Sequence, residues 1–379
     1  MKIVADENIP FLSRFFGEIG QIVKLPGREI CAEDVADADI LIVRSVTPVD
    51  ETLLGNSAVK FVGSCTIGTD HVDADYLNRR RIAFANAPGC NANSVVEYIL
   101  SCLSILTETH GFNLGSHRVG IIGYGNVGSL LASRLEKLGV CWLACDPFLD
   151  QDAQGLVSLE DALACDLVSL HVPLTKDGAH PTHHMIDQSV LARMRDDQIL
   201  VNTSRGAVVN NDHLRHKLEQ SECFTAILDV WEREPAIDSE LAKRVFIGTP
   251  HIAGYSFDGK VAGTEMIYRA LCRFLGFPVR HQSGQFLEEP PLSKMTFTSN
   301  ADVDWSFHTA IRACFDVRHD HSLLRSTLNR SPAERSAAFD AFRQSYRCRR
   351  EFSGVKVQLK QVDSELHSKL KALGFNIKI

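Results

Sequence analysis

The sequence has no apolar run of membrane-spanning length, no excess of positive charge and no paired cysteine spacing. The stretch 95–106 is apolar, but Glu97, Ser101 and Ser104 interrupt it, and a spanning helix needs about 20 apolar residues. The first residues, 1–6, are typical of a strand and lack the apolar stretch of a signal peptide. We therefore expect a soluble, cytoplasmic protein.

The charge balance is acidic, with 40 Lys and Arg against 47 Asp and Glu and a net charge of −7. This balance argues against a general nucleic-acid binder, and it requires any site for an anion to concentrate positive charge locally. The eleven cysteines are scattered, and the nearest pair, Cys141 and Cys145, lies in a run typical of a strand. We expect reduced, mostly buried thiols.

The chain is long enough for two or three domains, since it has 379 residues. Short apolar runs alternate with helical or turn segments, which predicts parallel sheets with crossover helices. The predicted strands are 2–5, 21–24, 40–43, 60–62, 81–84, 119–122, 140–145, 167–170, 199–202, 225–228 and 245–247.

Three further segments organise the chain. Residues 94–97 fit a capping box and predict the start of a long apolar helix. The segment 260–275 is also helical in pattern and can return the chain to the first domain. Pro278, Gly284 and the run 288–291 mark a linker, after which a small α+β module is expected.

The run 123–128 fits G-x-G-x-x-G between a predicted strand and an amphipathic helix. Gly123 permits a tight turn, Gly125 lets a pyrophosphate approach the backbone, and Gly128 allows the helix to pack closely on the strand. Asp146 ends the next strand, where a carboxylate accepts hydrogen bonds from ribose hydroxyls and repels a 2′-phosphate. The pattern predicts NAD and not NADP; the alternatives are an ordinary glycine turn or a methyltransferase.

Arg205, Glu234 and His251 carry the chemistry needed to oxidise an alcohol next to a carboxylate. The guanidinium holds the substrate acid and polarises the forming carbonyl. The imidazole removes the hydroxyl proton, while the carboxylate orients the imidazole. Taken singly, each has an ordinary alternative: a surface arginine, a turn acid and a loop histidine. Spacing alone does not establish that the three meet in space.

Several runs in the same order resemble the D-2-hydroxyacid dehydrogenase family over most of residues 1–280, namely 123–128, 146–147, 171–175, 202–206, 229–235 and 250–254. The resemblance implies that Arg205 binds the substrate, that His251 is the acid/base and that Glu234 is its partner. It also implies NAD as cofactor, bound by Gly123, Gly125, Asn126, Val127, Gly128, Asp146, Thr175, Thr203, Ser204, Asp229 and Gly254.

The fold implied by the resemblance is α/β. A Rossmann NAD-binding domain (100–255) is inserted into a flavodoxin-like substrate or lid domain (1–99 and 256–280). A small α+β C-terminal domain (285–379) follows, and the resemblance implies that it forms a homodimer.

Further runs, at 43–47, 64–73, 87–92 and 251–255, resemble the branch of the family that oxidises 4-phospho-D-erythronate in pyridoxal 5′-phosphate synthesis. In this branch Ser45, Thr66 and Tyr255 are substrate-contacting positions. Arg44, also after a strand end, offers a guanidinium to a phosphorylated tail. The alternatives are another dehydrogenase of the family, acting on 3-phosphoglycerate or glyoxylate, and a non-catalytic NAD-sensing scaffold.

Two other clusters carry weaker signals. His180, His183 and His184 suggest a metal, but no carboxylate or thiol has ligand spacing to them, so no metal is predicted. Arg343, Arg347, Arg349 and Arg350 form a basic cluster. It is interpreted either as a solvated helix face or as a contact at the dimer interface that reaches the partner's phosphate.

Overall fold

The computed structural model describes residues 1–150 and 155–378. The chain forms two compact units, the first of Met1–Ala92 with Ser256–Glu289, and the second of Asn93–Tyr255 with Pro290–Ile379. The strands are β1 (Lys2–Asp6), β2 (Gln21–Leu25), β3 (Ile40–Val43), β4 (Phe61–Ser64), β5 (Ala83–Ala85), β6 (Val119–Ile122), β7 (Trp142–Cys145), β8 (Leu167–Leu170), β9 (Ile199–Asn202), β10 (Thr225–Leu228), β11 (Ile247–Gly248), β12 (Lys294–Phe297), β13 (Lys356–Leu359) and β14 (Asn376–Lys378).

The helices are α1 (Leu12–Phe16), α2 (Ala32–Val35), α3 (Glu51–Leu54), α4 (Ala74–Arg80), α5 (Ala92–His110), α6 (Asn126–Lys137), α7 (Leu159–Leu163), α8 (Gln188–Arg193), α9 (Asn211–Gln220), α10 (Ser239–Arg244), α11 (Phe257–Leu275), α12 (Val303–Cys314), α13 (Val317–Arg325), α14 (Pro332–Gln344) and α15 (Ser364–Leu373).

The first unit is built on a five-stranded parallel sheet of order β2-β1-β3-β4-β5. This is the flavodoxin-like order, whose switch point lies between β1 and β3. Successive residues of β3 face opposite sides of the sheet, as strand geometry requires. Ile40 and Ile42 join a core with α1 and α11, while Leu41 and Val43 join a second core with α2, α3 and α4. Helices therefore cover both faces.

The second unit contains a six-stranded parallel sheet of order β11-β10-β9-β8-β6-β7. The predicted Rossmann arrangement is confirmed, and its switch point lies between β6 and β8. One face of this sheet packs against α5, and the other packs against α8, α9 and α10. Both faces are apolar because a parallel sheet is covered by its crossover helices.

The C-terminal segment forms a three-stranded parallel sheet of order β12-β13-β14 with helices around it. Its apolar residues share a core with α5, where the rings of Tyr98 and Phe315 lie 6.2 Å apart. The hydroxyl of Ser101 donates to the Phe315 carbonyl at 2.7 Å and accepts from the Val317 amide at 3.2 Å. This segment is thus packed against the longest helix of its own unit.

The predicted strands are all present, with small shifts at their ends. β5, β7 and β11 each begin two residues later than predicted, β11 because Val245 caps α10. The capping box predicted at 94–97 is wrong, because α5 begins at Ala92. The Ser94 hydroxyl donates to the Ala253 carbonyl, and the Glu97 carboxylate accepts from the Phe352 amide. Both side chains therefore make long-range contacts and do not cap the helix.

All eleven cysteines are free. Five are buried, two are half-buried and four are exposed, the exposed ones being Cys31, Cys141, Cys223 and Cys348. The expectation of mostly buried thiols is therefore only partly correct. Among residues 1–150 and 155–378, no helix combines the length and the apolar character needed to cross a membrane.

Candidate active site

The glycine-rich turn joins β6 to α6 at the switch point of the six-stranded sheet. Gly123 has a φ of +94°, a left-handed conformation that glycine adopts without a steric penalty. A Cβ on Gly128 would lie 2.0 Å from the Gly123 carbonyl oxygen, so α6 packs directly on the turn. Around Gly125, no described atom lies within 4 Å of a Cβ built there. The backbone at the start of α6, where Asn126 and Val127 follow, is therefore open to a diphosphate.

Asp146 follows β7 and lies beside this turn. Its Oδ2 accepts from the Tyr124 amide at 3.0 Å, and its Oδ1 accepts from the Phe148 amide at 3.1 Å. These two bonds fix the carboxylate next to the glycine turn, where it suits the ribose hydroxyls of a dinucleotide. The neighbouring Phe148 ring is 77% exposed.

The other proposed cofactor residues lie in loops after β8, β9 and β11. The hydroxyl of Thr203 is buried and has no hydrogen-bond partner within the described chain. Such a group is costly to leave unpaired, and a bound ligand would relieve the cost. The Thr175 hydroxyl accepts from the Thr182 amide at 3.2 Å, and the Ser204 hydroxyl donates to Asn202 Oδ1 at 2.9 Å. Gly254 lies three residues after His251.

Arg205 is held in a turn at the end of β9. The side-chain amide of Asn202 donates to the Arg205 carbonyl at 3.0 Å and thereby closes the turn. The next residue is Gly206, where a Cβ would lie 1.9 Å from the backbone carbonyl carbon of Trp231. Only glycine allows so close an approach, so the arginine turn lies against the turn that begins at Trp231.

The turn after β10 carries Glu234. The amide of Trp231 donates to Glu234 Oε1 at 2.8 Å, and the Trp231 indole donates to the Thr249 carbonyl at 2.9 Å. The glutamate turn is thereby tied to the strand end that leads to His251. Gly206, Trp231 and Glu234 are therefore packed together.

The loop that carries His251 is fixed by the buried carboxylate of Asp229. This carboxylate accepts from the Thr249 hydroxyl at 2.6 Å and from the amides of Ile252 and Ala253 at 2.7 and 2.8 Å. Burial raises the pKa of Asp229, and the His251 charge and these hydrogen bonds act in the opposite direction. The Asp229 carboxylate, which the sequence predicts to line the cofactor, therefore also holds the loop of His251.

His251 and Glu234 are in direct contact, with His251 Nδ1 2.7 Å from Glu234 Oε2. Burial by itself raises the pKa of Glu234, but the His251 charge and the hydrogen bonds from His251 and Trp231 outweigh it, so the pKa lies below its ordinary value. The carboxylate is therefore ionised at neutral pH. With Nδ1 engaged, the other ring nitrogen, Nε2, is the one available for proton transfer.

The backbone of His251 is strained, because its φ is +56°. This left-handed conformation is uncommon for residues other than glycine, and it persists only where the surroundings hold it. The three hydrogen bonds to Asp229 provide that restraint. The imidazole is thus positioned by its loop as well as by Glu234.

The proposed substrate residues Arg44, Ser45 and Thr66 belong to the first unit. Arg44 donates from Nε and Nη2 to the buried carboxylate of Asp6, at 2.8 and 3.2 Å. Such a two-point pair fixes the guanidinium plane. Ser45 is exposed, and the Thr66 hydroxyl lies 2.9 Å from the Ser64 hydroxyl. Together they provide one oriented cation and two hydroxyls near the carboxyl ends of β3 and β4.

The three loop histidines have protein partners. His184 Nε2 lies 2.6 Å from Glu232 Oε1, and its ring stacks on that of His183 with centroids 4.0 Å apart. The ring of His180 meets Phe148 edge-on at 5.5 Å. Among residues 1–150 and 155–378, no three His, Cys, Asp or Glu side chains are grouped to hold a metal.

One member of the arginine cluster is buried, so the interpretation as a solvated helix face is wrong for Arg349. This side chain is 3% exposed and lies 3.6 Å above the Phe315 ring. It donates to the carbonyls of Ser94 and Ala253 at 2.7 and 3.2 Å. A C-terminal arginine therefore holds the loop of His251, which no spacing in the sequence indicated.

The remaining cluster members make other intramolecular contacts. Arg347 pairs with the buried carboxylate of Asp320 at 3.0 Å. The Arg343 guanidinium lies 5.7 Å from the centre of the Tyr255 ring. The only sequence signal for these contacts was a group of arginines in an acidic chain, and that signal did not reveal what they face.

Comparison with known families agrees with this geometry. Residues 105–253 match the model described as D-isomer specific 2-hydroxyacid dehydrogenase, NAD binding domain, and residues 286–374 match a domain of unknown function. Among solved structures, D-lactate dehydrogenase from Aquifex aeolicus, complexed with NAD and lactic acid, is similar. Its TM-score is 0.60 at 25% identity, over 73% of this chain and 96% of that one.

NAD⁺-bound 3-phosphoglycerate dehydrogenase from Entamoeba histolytica is also similar, with a TM-score of 0.63 at 25% identity over 76% of this chain and 99% of that one. Two relatives match over the whole length, and both are named erythronate-4-phosphate dehydrogenase. The protein from Hahella chejuensis is 53% identical over 100% of this chain and 99% of its own. The protein from Marinobacter nauticus is 51% identical over 100% of both. The chain therefore belongs to the erythronate-4-phosphate dehydrogenase family, among the NAD-dependent D-isomer specific 2-hydroxyacid dehydrogenases.

Proposed function

We propose that this chain oxidises 4-phospho-D-erythronate at C2 with NAD, forming (R)-3-hydroxy-2-oxo-4-phosphooxybutanoate for pyridoxal 5′-phosphate synthesis. The observation that carries the proposal is the 2.7 Å contact between His251 and Glu234, in a chain whose full-length relatives bear that enzyme's name. The fixed acid, the oriented imidazole and the nearby arginine turn supply what an alcohol oxidation needs.

When bound, NAD would supply the acceptor for the hydride that leaves C2 of the substrate. Arg205 binds the substrate carboxylate and polarises the oxygen that becomes the carbonyl. His251 Nε2 removes the hydroxyl proton, and Glu234 stabilises the imidazolium that forms. Asp229 keeps the loop of His251 in place during the proton transfer. The residues that would hold NAD are Gly123, Gly125, Asn126, Val127, Gly128, Asp146, Thr175, Thr203, Ser204, Asp229 and Gly254.

Two features support the proposal: one favours NAD over NADP, and the other favours a phosphorylated substrate. The Tyr124 and Phe148 amides hold Asp146 beside the glycine turn, and a carboxylate there would repel a 2′-phosphate. The guanidinium of Arg44, oriented by Asp6, and the hydroxyls of Ser45 and Thr66 suit the phosphate of the substrate. Tyr255 is the further substrate contact.

We also propose that the protein works in the cytoplasm as a homodimer formed by residues 285–379. Eleven free cysteines, four of them exposed, are typical of a reducing compartment. The C-terminal segment has an exposed apolar patch around Trp305, whose side chain is 58% exposed and lies beside Phe297. The patch also includes Leu292, Met295 and Ala313. Exposed apolar surface of this kind is typical of an interface.

A substrate panel tests the proposed reaction. With NAD, kcat/KM is expected to be at least about 100-fold higher for 4-phospho-D-erythronate than for D-erythronate, because charged hydrogen bonds to the phosphate contribute strongly. The absorbance of the NADH that forms gives kcat/KM for these two acids, and also for 3-phospho-D-glycerate and for glycolate. Fastest turnover of 3-phospho-D-glycerate or glycolate would contradict the proposal, and NAD binding with no turnover of any acid would favour the scaffold.

Removal of the imidazole tests the catalytic assignment. His251→Ala is expected to lower kcat by about 10²- to 10⁴-fold, the usual contribution of a general base, while NAD binding stays unchanged in a fluorescence titration. Glu234→Gln is expected to lower kcat as well, since the neutral amide stabilises the imidazolium less. His216→Ala, at an exposed position of α9, is the control and should retain full turnover. Retained turnover in His251→Ala would remove the residue from the mechanism.

The Asp6–Arg44 pair offers a test of the phosphate assignment. Arg44→Gln alone leaves the buried Asp6 carboxylate unpaired, which destabilises the fold, so the double variant Asp6→Asn/Arg44→Gln is preferred. It is expected to raise KM for 4-phospho-D-erythronate by about 10-fold or more, with little change for D-erythronate. The ratio of the two kcat/KM values measures the effect. A ratio equal to that of the unchanged protein would argue against Arg44 as a phosphate ligand.

The exposed patch of the C-terminal segment offers a test of the dimer. Trp305→Glu is expected to weaken self-association by about 10-fold or more, because a buried tryptophan often dominates an interface. Sedimentation velocity across a concentration series measures it. Phe277→Glu is the matched control, since Phe277 is another exposed aromatic, 46% accessible, in the first unit. A monomeric unchanged protein, or a Trp305→Glu variant that still dimerises fully, would count against this interface.

A further inference from the structure

The last turn of α14 brings a C-terminal arginine to the catalytic part of the second unit. Arg343 lies in that turn, and its guanidinium carbon is 5.7 Å from the centre of the Tyr255 ring. Tyr255 follows His251 by four residues. The contact therefore joins a segment that matches a domain of unknown function to the loop of the catalytic histidine.

A second C-terminal side chain holds Tyr255 from another direction. The ring of Tyr346 meets the Tyr255 ring edge-on, with centroids 5.7 Å apart. The Tyr346 hydroxyl donates to Asp320 Oδ2 at 3.2 Å, and Arg347 pairs with the same oxygen at 3.0 Å. Because Asp320 is 3% exposed, this anchor is rigid. Tyr255 is thus packed against Tyr346 and approached by Arg343.

The charge of Arg343 is directed at the catalytic pair. Burial by itself lowers the pKa of Arg343, but the neighbouring Tyr255 and Glu234 outweigh it, so the pKa is raised and the guanidinium stays charged. Glu234 in turn responds to this positive charge. The Arg343 side chain also forms a hydrogen bond with Tyr255, while its buried Nε has no hydrogen-bond partner among the described residues.

The second unit therefore places Arg343 near Tyr255 and Glu234, in addition to the Arg205 turn that follows β9. A single cation, Arg205, is sufficient to bind the carboxylate of a simple 2-hydroxy acid. A second fixed cation favours a substrate with a second anionic group, because opposite charges attract strongly in a partly buried site. In a chain of net charge −7, such a local concentration of positive charge indicates a binding site for an anion.

We propose that Arg343 is a specificity-determining residue: it positions Tyr255 and supplies the positive charge that selects a hydroxy acid with a second, phosphorylated end. This inference rests on the proposed oxidation of 4-phospho-D-erythronate and assigns part of its selectivity to the C-terminal segment. Arg343 acts in addition to Arg44, and its contribution is separable because it belongs to a different compact unit.

The test compares two substrates across three variants of the full-length protein. Arg343→Gln is expected to lower kcat/KM for 4-phospho-D-erythronate by about 10- to 100-fold, the range for a lost charged hydrogen bond. For D-erythronate, measured as turnover or as competitive inhibition, the change is expected to stay within about 3-fold. Arg343→Lys keeps the charge without the planar fork and should recover part of the loss.

Arg330→Gln is the matched control, because it removes one positive charge from an exposed position just before α14. It should leave both substrates unaffected. Thermal unfolding of each variant separates a loss of fold from a loss of selectivity, and if Arg343→Gln is unstable, Arg343→Met, which removes the charge and keeps a long side chain, replaces it.

Equal losses on both substrates would overturn the proposal, since they would assign Arg343 to the acid/base pair or to the fold. An unchanged ratio with unchanged turnover would also overturn it. Failure of the proposed function is distinguishable, because the unchanged protein would then not oxidise 4-phospho-D-erythronate at all.

Discussion

The buried carboxylate of Asp229 is the constraint on which the catalytic arrangement depends. It lies at the end of β10 and binds the Thr249 hydroxyl and two successive amides, those of Ile252 and Ala253. A buried acid is tolerated only when it is fully hydrogen-bonded, and the left-handed backbone of His251 is tolerated only when it is restrained. The same hydrogen bonds therefore satisfy the buried Asp229 carboxylate and restrain the loop of His251. The Tyr98 hydroxyl, 2.8 Å from the Thr249 hydroxyl, extends the network into α5.

The C-terminal segment completes this arrangement from the opposite side of the loop. Arg349 donates to the Ala253 carbonyl, and Asp229 accepts from the Ala253 amide. The backbone of Ala253 is therefore held by a guanidinium at its carbonyl and by a carboxylate at its amide. The contact of Arg349 with Phe315 excludes water from the guanidinium, which strengthens its hydrogen bonds. The NAD-binding domain of this chain is therefore not independent of the module that follows it. A dehydrogenase without such a module must restrain the equivalent loop by other means.

Parallel sheets and the glycine turn could be predicted because their signals are local. Apolar runs between turn residues predict buried strands, and the positive φ of Gly123 is a requirement of the turn itself. The chemistry of Arg205, Glu234 and His251 could also be predicted, but their contacts depend on Gly206 and Asp229, whose partners come from other strand ends. The capping box at Ser94 was wrong because Ser94 bonds to Ala253, a residue 159 positions away. Arg343 and Arg349 were visible only as charge, since their partners are equally remote.

The position of Arg349 along the chain has a consequence for the order in which the protein is made. Synthesis proceeds from the N-terminus, and domains begin to fold while later residues are still being added. The six-stranded sheet, the glycine turn and the loop of His251 all precede Arg349 by roughly a hundred residues or more. Until Arg349 is added, the loop lacks the hydrogen bond from that arginine, and the apolar face of α5 that Phe315 and Phe352 cover is still open. A nascent chain therefore contains Arg205, Glu234 and His251 before it contains the last side chain that holds the His251 loop, and until then it exposes an apolar helix face to solvent.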